Sequence, residues 1–168
     1  VTEAASGTTD SATDTLVVSD ADGETVTWSC SGCTDAGTTQ TLTGTYGAWV
    51  LTEATGAWAY TLNNADTDTD QLDAGDSVTD TLTAVATDSS GASDSITVTV
   101  TVSGANDAPS TSTPSTQSGT EDQTFTGYTI SDFPFTDVDD GDSALTSITI
   151  TVVESSGDLE KSTDGTSW

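Results

Sequence analysis

The side chains in this chain that can do chemistry are carboxylates, and their spacing points to holding a hard cation. Asp20-Ala21-Asp22-Gly23 and Asp137-Val138-Asp139-Asp140-Gly141 are two acidic turns of the same kind, and each follows a Thr-Glu pair, Thr2-Glu3 and Thr120-Glu121. The Glu-to-Asp spacings are 17 and 16 residues, so a Glu…Asp-x-Asp constellation occurs twice, about 118 residues apart. Between the copies, Gly104-Ala105-Asn106-Asp107-Ala108-Pro109 adds two more side-chain oxygens. Calcium takes six to eight oxygens from carboxylates, amides and carbonyls, so Ca2+ is the expected ligand of such a set. Neither turn is an EF-hand, because twelve-residue loops opening at Asp20 or Asp137 end at Ser31 and Ile148 and not at Glu. The competing reading is that so acidic a chain scatters Asx-type turns everywhere and binds no ion.

Catalysis finds little support. Histidine is absent, which removes Ser-His and Cys-His pairs, and no glycine-rich phosphate loop occurs. A glycosidase needs only two carboxylates, but among 28 acids no pair is informative. The chain is therefore expected not to be an enzyme. With 28 acidic residues against the single basic residue Lys161, the formal charge is −27, which excludes electrostatic partnership with nucleic acid or anionic lipid. No apolar run approaches the roughly 18–20 residues that span a bilayer. Methionine is absent and no signal peptide remains at Val1, so the chain is expected to be a processed product or a piece of something longer. Cys30-Ser31-Gly32-Cys33 supplies two of the four ligands that a closed zinc site needs and lies among strand and turn residues, not at a helix start. A disulfide clamping a turn, in an oxidising extracellular setting, is expected there.

The elements that must position these groups read as strands. Thr15–Val18 and Glu24–Ser29 are expected to form a hairpin with the Asp20–Gly23 acids at its tip. Tyr46–Leu51 and Ala57–Leu62 face each other across a five-residue loop, and Tyr46, Trp49, Trp58 and Tyr60 supply most of the core bulk. Asn63–Asp76 reads as a crossing loop with a helical turn, and Leu72 is its one large apolar residue. Val78–Thr87 and Ser95–Val102 form the longest hairpin, turned at Asp88-Ser89-Ser90-Gly91, with Ile96, Val98, Val100 and Val102 in period-two alternation.

Residues 1–109 thus read as one complete β-domain, residues 110–119 as a Ser/Thr/Pro linker without means of packing, and residues 120–168 as the first half of a second domain. No Asn-x-Ser/Thr sequon occurs, so any glycans are expected to be O-linked, on Ser110, Thr111, Ser112, Thr113, Ser115 and Thr116.

The runs Gly44–Leu51, Gly56–Asn64, Leu72–Asp80 and Val98–Pro109 resemble the VCBS repeat, in that family's order and across nearly all of residues 1–109. Residues 120–168 resemble the opening of a bacterial cadherin-like repeat, through Thr120-Glu121-Asp122 and Asp137-Val138-Asp139. The resemblance implies an all-β fold of tandem Ig- or cadherin-like β-sandwiches, the second incomplete within this chain. It implies a place in large extracellular or cell-surface proteins of bacteria, adhesins and biofilm components among them, and no catalysis. The Cys30/Cys33 loop departs from the pattern as an insertion. By resemblance to cadherin-like junctions, Asp88, Asn106, Asp107, Glu121, Asp137 and Asp139 are expected to converge on calcium at the joint. Glu3, Asp20 and Asp22 would form the matching site at the N-terminal end, awaiting a preceding module or subunit.

Two functional expectations follow. One is a calcium-stabilised structural module that contacts adjacent repeats of a longer chain, or copies of itself in a head-to-tail filament. In the filament form, Val1–Val18 of one copy would complete the open half-repeat of the next, whose Phe125, Phe133, Phe135, Leu145, Ile148 and Ile150 need a core. The rival account is simple truncation, in which the remaining strands belong to a longer parent. The other expectation is a glycan- or surface-binding module in which exposed Trp49 or Trp58 stacks on sugar rings, against the simpler reading that both pack in the core.

Overall fold

A computed structural model describes residues 1–3, 10–111 and 133–139 of the chain. The protein is all-β, and its strands form antiparallel sheets with one short helix among the described residues. Strands β1 (Ser11–Thr15), β3 (Thr34–Asp35), β4 (Thr39–Thr43), β5 (Gly47–Thr52) and β6 (Ala57–Leu62) make a five-stranded sheet in the order β1-β6-β5-β4-β3. Strands β2 (Thr27–Cys30), β7 (Ser77–Thr87) and β8 (Ser93–Ser103) make a three-stranded sheet in the order β2-β7-β8. Helix α1 (Thr67–Asp70) lies in the connection between β6 and β7, and β9 (Ser110–Thr111) pairs with β10 (Phe135–Thr136) beyond the sandwich.

Alternation builds the core. On β5 the residues Gly47, Trp49 and Leu51 are buried while Ala48 and Val50 are exposed, and on β7 Leu82, Ala84 and Ala86 are buried while Thr81 and Thr83 are exposed. Val100 and Val102 of β8 face the same way, and these side chains join Trp28, Tyr60, Leu62 and Leu72 in one cluster between the sheets. Trp49 packs against Tyr60 at a ring-centroid distance of 4.8 Å and against Trp58 at 5.5 Å, both tilted, the arrangement that aromatic quadrupoles favour. Gly56, at φ +70, closes the β5–β6 turn, and a side chain there would run into the Trp28 indole. Gln40 bridges the sheets at one edge, accepting from the Cys30 N–H at 2.8 Å and donating to Glu53 at 3.0 Å.

Several expectations hold. The β5–β6 and β7–β8 hairpins form with the anticipated partners, and Leu72 enters the core behind a helical turn whose N-cap is Asp66. Cys30 and Cys33 are joined by a disulfide. No helix among the described residues is long and apolar enough to cross a membrane.

Others need correction. Thr15–Val18 and Glu24–Ser29 do not form a hairpin. The first strand lies earlier than expected, at β1 (Ser11–Thr15), and leaves Leu16–Val18 outside any strand; β1 pairs with β6 and β2 with β7, so the two lie in different sheets. Val17 is 91% exposed, because the chain passes between sheets there and no layer covers it. The start of the linker is also not free of structure, since Ser110 and Thr111 pair with Thr136 and Phe135.

Val1–Glu3 run parallel beside the end of β8. The Val1 ammonium donates to Thr101 O at 3.0 Å, Ser103 N to Val1 O at 3.1 Å, and Glu3 N to Ser103 O at 2.8 Å. The segment nominated as a donated strand is therefore paired within its own domain at Val1–Glu3 and again at β1. Phe125, Leu145, Ile148 and Ile150 of the half-repeat lie outside the described residues.

Candidate cation site at the joint

The parallel run of Val1–Glu3 fixes where Glu3 goes. Beside the end of β8 its side chain lies under the chain leaving that strand, where Oε2 accepts from Ala105 N–H at 3.0 Å. Glu3 is 2% exposed, and its other oxygen, Oε1, has no hydrogen-bond partner. A buried acceptor left alone costs roughly 1–3 kcal/mol, more when it is charged, so this oxygen calls for a partner.

What faces it is more negative charge. Asp107, Asp139 and Asp70 all act on Glu3, and Asp139, Asp70 and Asp137 act on Asp107. Asp107 N–H donates to Asp139 Oδ2, which ties the chain leaving β8 to the turn after β10, and Asp139 Oδ1 is buried without a partner. Burial first, and then the neighbouring carboxylates, raise the Glu3 acid above its ordinary range, against the lowering effect of the Ala105 N–H. Burial and the same neighbours raise Asp107. Repulsion from Asp70 and Asp139 thus reaches both Glu3 and Asp107, with Asp137 adding to that on Asp107, and among the described residues no basic side chain balances it. Glu3 Oε1 and Asp139 Oδ1, buried carboxylate oxygens without hydrogen-bond donors, are of the hard oxygen type that a divalent cation such as calcium takes.

The expected ligand set is partly reassembled. Asp107, Asp137 and Asp139 are at the joint as anticipated, and Glu3, expected at the opposite end, joins them because its strand runs beside β8. Asp88 does not belong to the joint. It follows the last residue of β7, whereas Gly104 hydrogen-bonds to Asp76 just before the first, so the full 11-residue strand separates them. Asn106 is exposed, and its amide donates to the Asp107 carbonyl. Glu121 lies outside the described residues, as do Ser112, Thr113, Ser115 and Thr116, whereas the side chains of Ser110 and Thr111 are exposed on β9. Asp70 was not anticipated, since nothing local in Thr67–Asp70 marks it as more than a solvated acid.

At the other end of the sandwich Asp20, Glu24 and Asp88 come together, their carboxylate oxygens within 4.8 Å of one another. Asp20 Oδ1 accepts from the N–H groups of Asp22 and Glu24, Asp88 Oδ1 from those of Ser90 and Ala92, and Glu24 Oε1 from the Ser89 and Ser90 hydroxyls. These acids are half exposed and supplied with donors, and Asp22 points to solvent.

Neither tryptophan expected to stack on sugar rings stands free of the core. Trp49 is 1% exposed and Trp58 is half-buried against it, so both belong to the core. No protein-family model matches the chain, and no curated protein matches it.

Proposed function

We propose that this chain is a non-enzymatic structural module of an extracellular bacterial surface protein, stiffened by calcium at the joint between its sandwich and the segment that follows. The reading rests on the Glu3 carboxylate, buried, half unpartnered and faced by Asp107, Asp139 and Asp70. A bound Ca2+ neutralises that repulsion, so binding to the folded state alone stabilises the chain. The likeness of Gly44–Leu51 and Val98–Pro109 to VCBS repeats supports a tandem context, with neighbouring repeats or copies stacked end to end. The Cys30–Cys33 disulfide accords with an oxidising compartment.

The test is a thermal melt of the full chain in calcium and in chelator. Calcium at 10 to 100 times its dissociation constant adds about 1.4–2.7 kcal/mol, a rise of several degrees. Glu3→Gln and Asp139→Asn should remove most of that rise, whereas Asp22→Asn should keep it. Identical melts in calcium and in chelator would sink the proposal.

A further inference from the structure

We infer that the outer edge of β8 is a dimerisation edge, at which the same strand of a second copy pairs antiparallel about a two-fold axis at Ile96. β8 ends the β2-β7-β8 sheet, so one side of it is bonded to β7 and the other faces outward. The bonds from Thr101 and Ser103 to Val1 and Glu3 identify the outward groups. Alternation then turns the N–H and C=O of Ser93, Ser95, Thr97 and Thr99 the same way. Among the described residues no strand pairs with that stretch, and Ser95 N–H is met by its own Asp94 carboxylate. Where Val1–Glu3 is offered the edge already takes a strand, and the free stretch begins where that pairing stops.

Nothing on the strand blunts this edge. β8 pairs with β7 over its whole length without a bulge, contains no proline and carries Asp94 as its one charge. The geometry of the free stretch selects a second copy. Ser93–Thr99 has Ile96 at its midpoint, so a copy turned about that point sets Ser95 against Thr97 and Ser93 against Thr99, all outward-facing, and stops short of Val1–Glu3. Ile96 then meets its counterpart at a non-hydrogen-bonded position, where side chains stand closest. It lies in phase with Val98, Val100 and Val102, yet it is 50% exposed where Val102 is 0%. The inward row of the core thus runs out uncovered at the axis, and the counterpart covers it. Asp94 falls opposite Val98 and not opposite itself, so no two carboxylates face each other across the pair. Repulsion between whole copies of charge −27 opposes the pairing, and salt screens it. The contact is side by side, unlike the head-to-tail contact of a donated strand, and it does not depend on the cation.

Sedimentation velocity of the full chain in chelator, at protein concentrations up to about 1 mM, tests the pairing without involving the cation. A monomer–dimer equilibrium should appear and should tighten as NaCl rises from about 20 mM to about 500 mM. Amide hydrogen exchange at Thr97 and Thr99 should slow as the dimer forms. Thr97→Pro removes an outward N–H and leaves the bonds to β7 in place, and Ile96→Asp sets two carboxylates against each other at the axis. Each should weaken the dimer about 10-fold or more, with the melt of the dilute monomer measured alongside to show the fold intact. Val17→Ser, at the most exposed of the large apolar residues, should leave the dimer unchanged. A chain that stays monomeric at every concentration and salt overturns the inference. A dimer indifferent to both β8 variants, or weakened as much by Val17→Ser, lies elsewhere and refutes it. Slow exchange of Thr97 and Thr99 in the dilute monomer refutes it too, because another part of the chain then covers the edge.

Discussion

The Tyr60 hydroxyl donates to Asp80 Oδ2 across 2.9 Å inside the sandwich, joining β6 of the five-stranded sheet to β7 of the three-stranded one. Asp80 is 5% exposed, and it also accepts from the N–H groups of Thr45 and Tyr46 at 3.0 Å each. One carboxylate therefore fixes the Gly44–Tyr46 turn, the facing sheet and an aromatic ring at once. Burial, and then the bond to Asp80, push the Tyr60 pKa well above the ordinary phenol range.

Removing that carboxylate leaves three donors without an acceptor. Asp80→Ala should cost on the order of 3 kcal/mol or more, and Tyr60→Phe, which removes one bond of the three, about 1–2 kcal/mol. Urea unfolding of both variants in calcium checks the order. A loss below about 1 kcal/mol for Asp80→Ala would show that the turn is held by something else.

In chelator the joint should make the protein more stable in mild acid than at neutrality. Glu3 and Asp107 carry folded-state pKa values raised above the ordinary 4.5 and 3.8, so their stabilising effect is full below those values and is lost as pH rises through the raised ones. Asp10 acts in the opposite sense. The Thr2 N–H, aided by Ser11 N–H and the N-terminal ammonium, holds its acid below 3.8, so the stability it adds is present above that value and lost as pH falls through the lowered one. The metal-free melting temperature should therefore peak near pH 4 and decline towards pH 7. Glu3→Gln should flatten the decline, and its persistence unchanged in that variant would place the repulsion elsewhere.

Reduction of Cys30–Cys33 should be tolerated. The bridge closes a four-residue loop, for which the chain-entropy account gives about 2 kcal/mol or less. The neighbouring backbone is held independently by Cys30 N–H to Gln40 and by Ser31 N–H to Thr83 O at 3.0 Å. Melting with and without reductant should differ by a few degrees, and global unfolding on reduction would contradict this.

How much of this was legible depended on range along the chain. The β5–β6 and β7–β8 hairpins were, because both strands and the turn sit in one window and alternation marks the buried face. Asp80 was legible in principle, as the one acid on the inward phase of β7, in step with Leu82, Ala84 and Ala86. The companions of Glu3 were not. Its contacts at Ala105, Asp107 and Asp139 lie more than a hundred residues away, and they depend on Val1–Glu3 joining one sheet while β1 joins the other, a crossing that leaves no periodic trace. Asp88 went to the wrong end because it was placed by likeness to cadherin-like junctions, whereas the β7–β8 register puts that hairpin's turn one full strand length from its open end. Glu24 was overlooked because the expected motif stopped at Asp22.

Val1–Glu3 and the end of β8 run in the same direction, and the chain enters the sandwich at one of these strands and leaves it from the other. Tension applied through Val1 and the chain leaving β8 pulls the two strands in opposite senses along their common axis. The Val1–Thr101, Ser103–Val1 and Glu3–Ser103 bonds then bear the load together, in shear, and must rupture as a group. A hairpin pulled from its open end parts one bond at a time. The first point to yield under force is thus also the seat of the buried Glu3 carboxylate, so the load falls on the most deeply desolvated acid of the N-terminal segment.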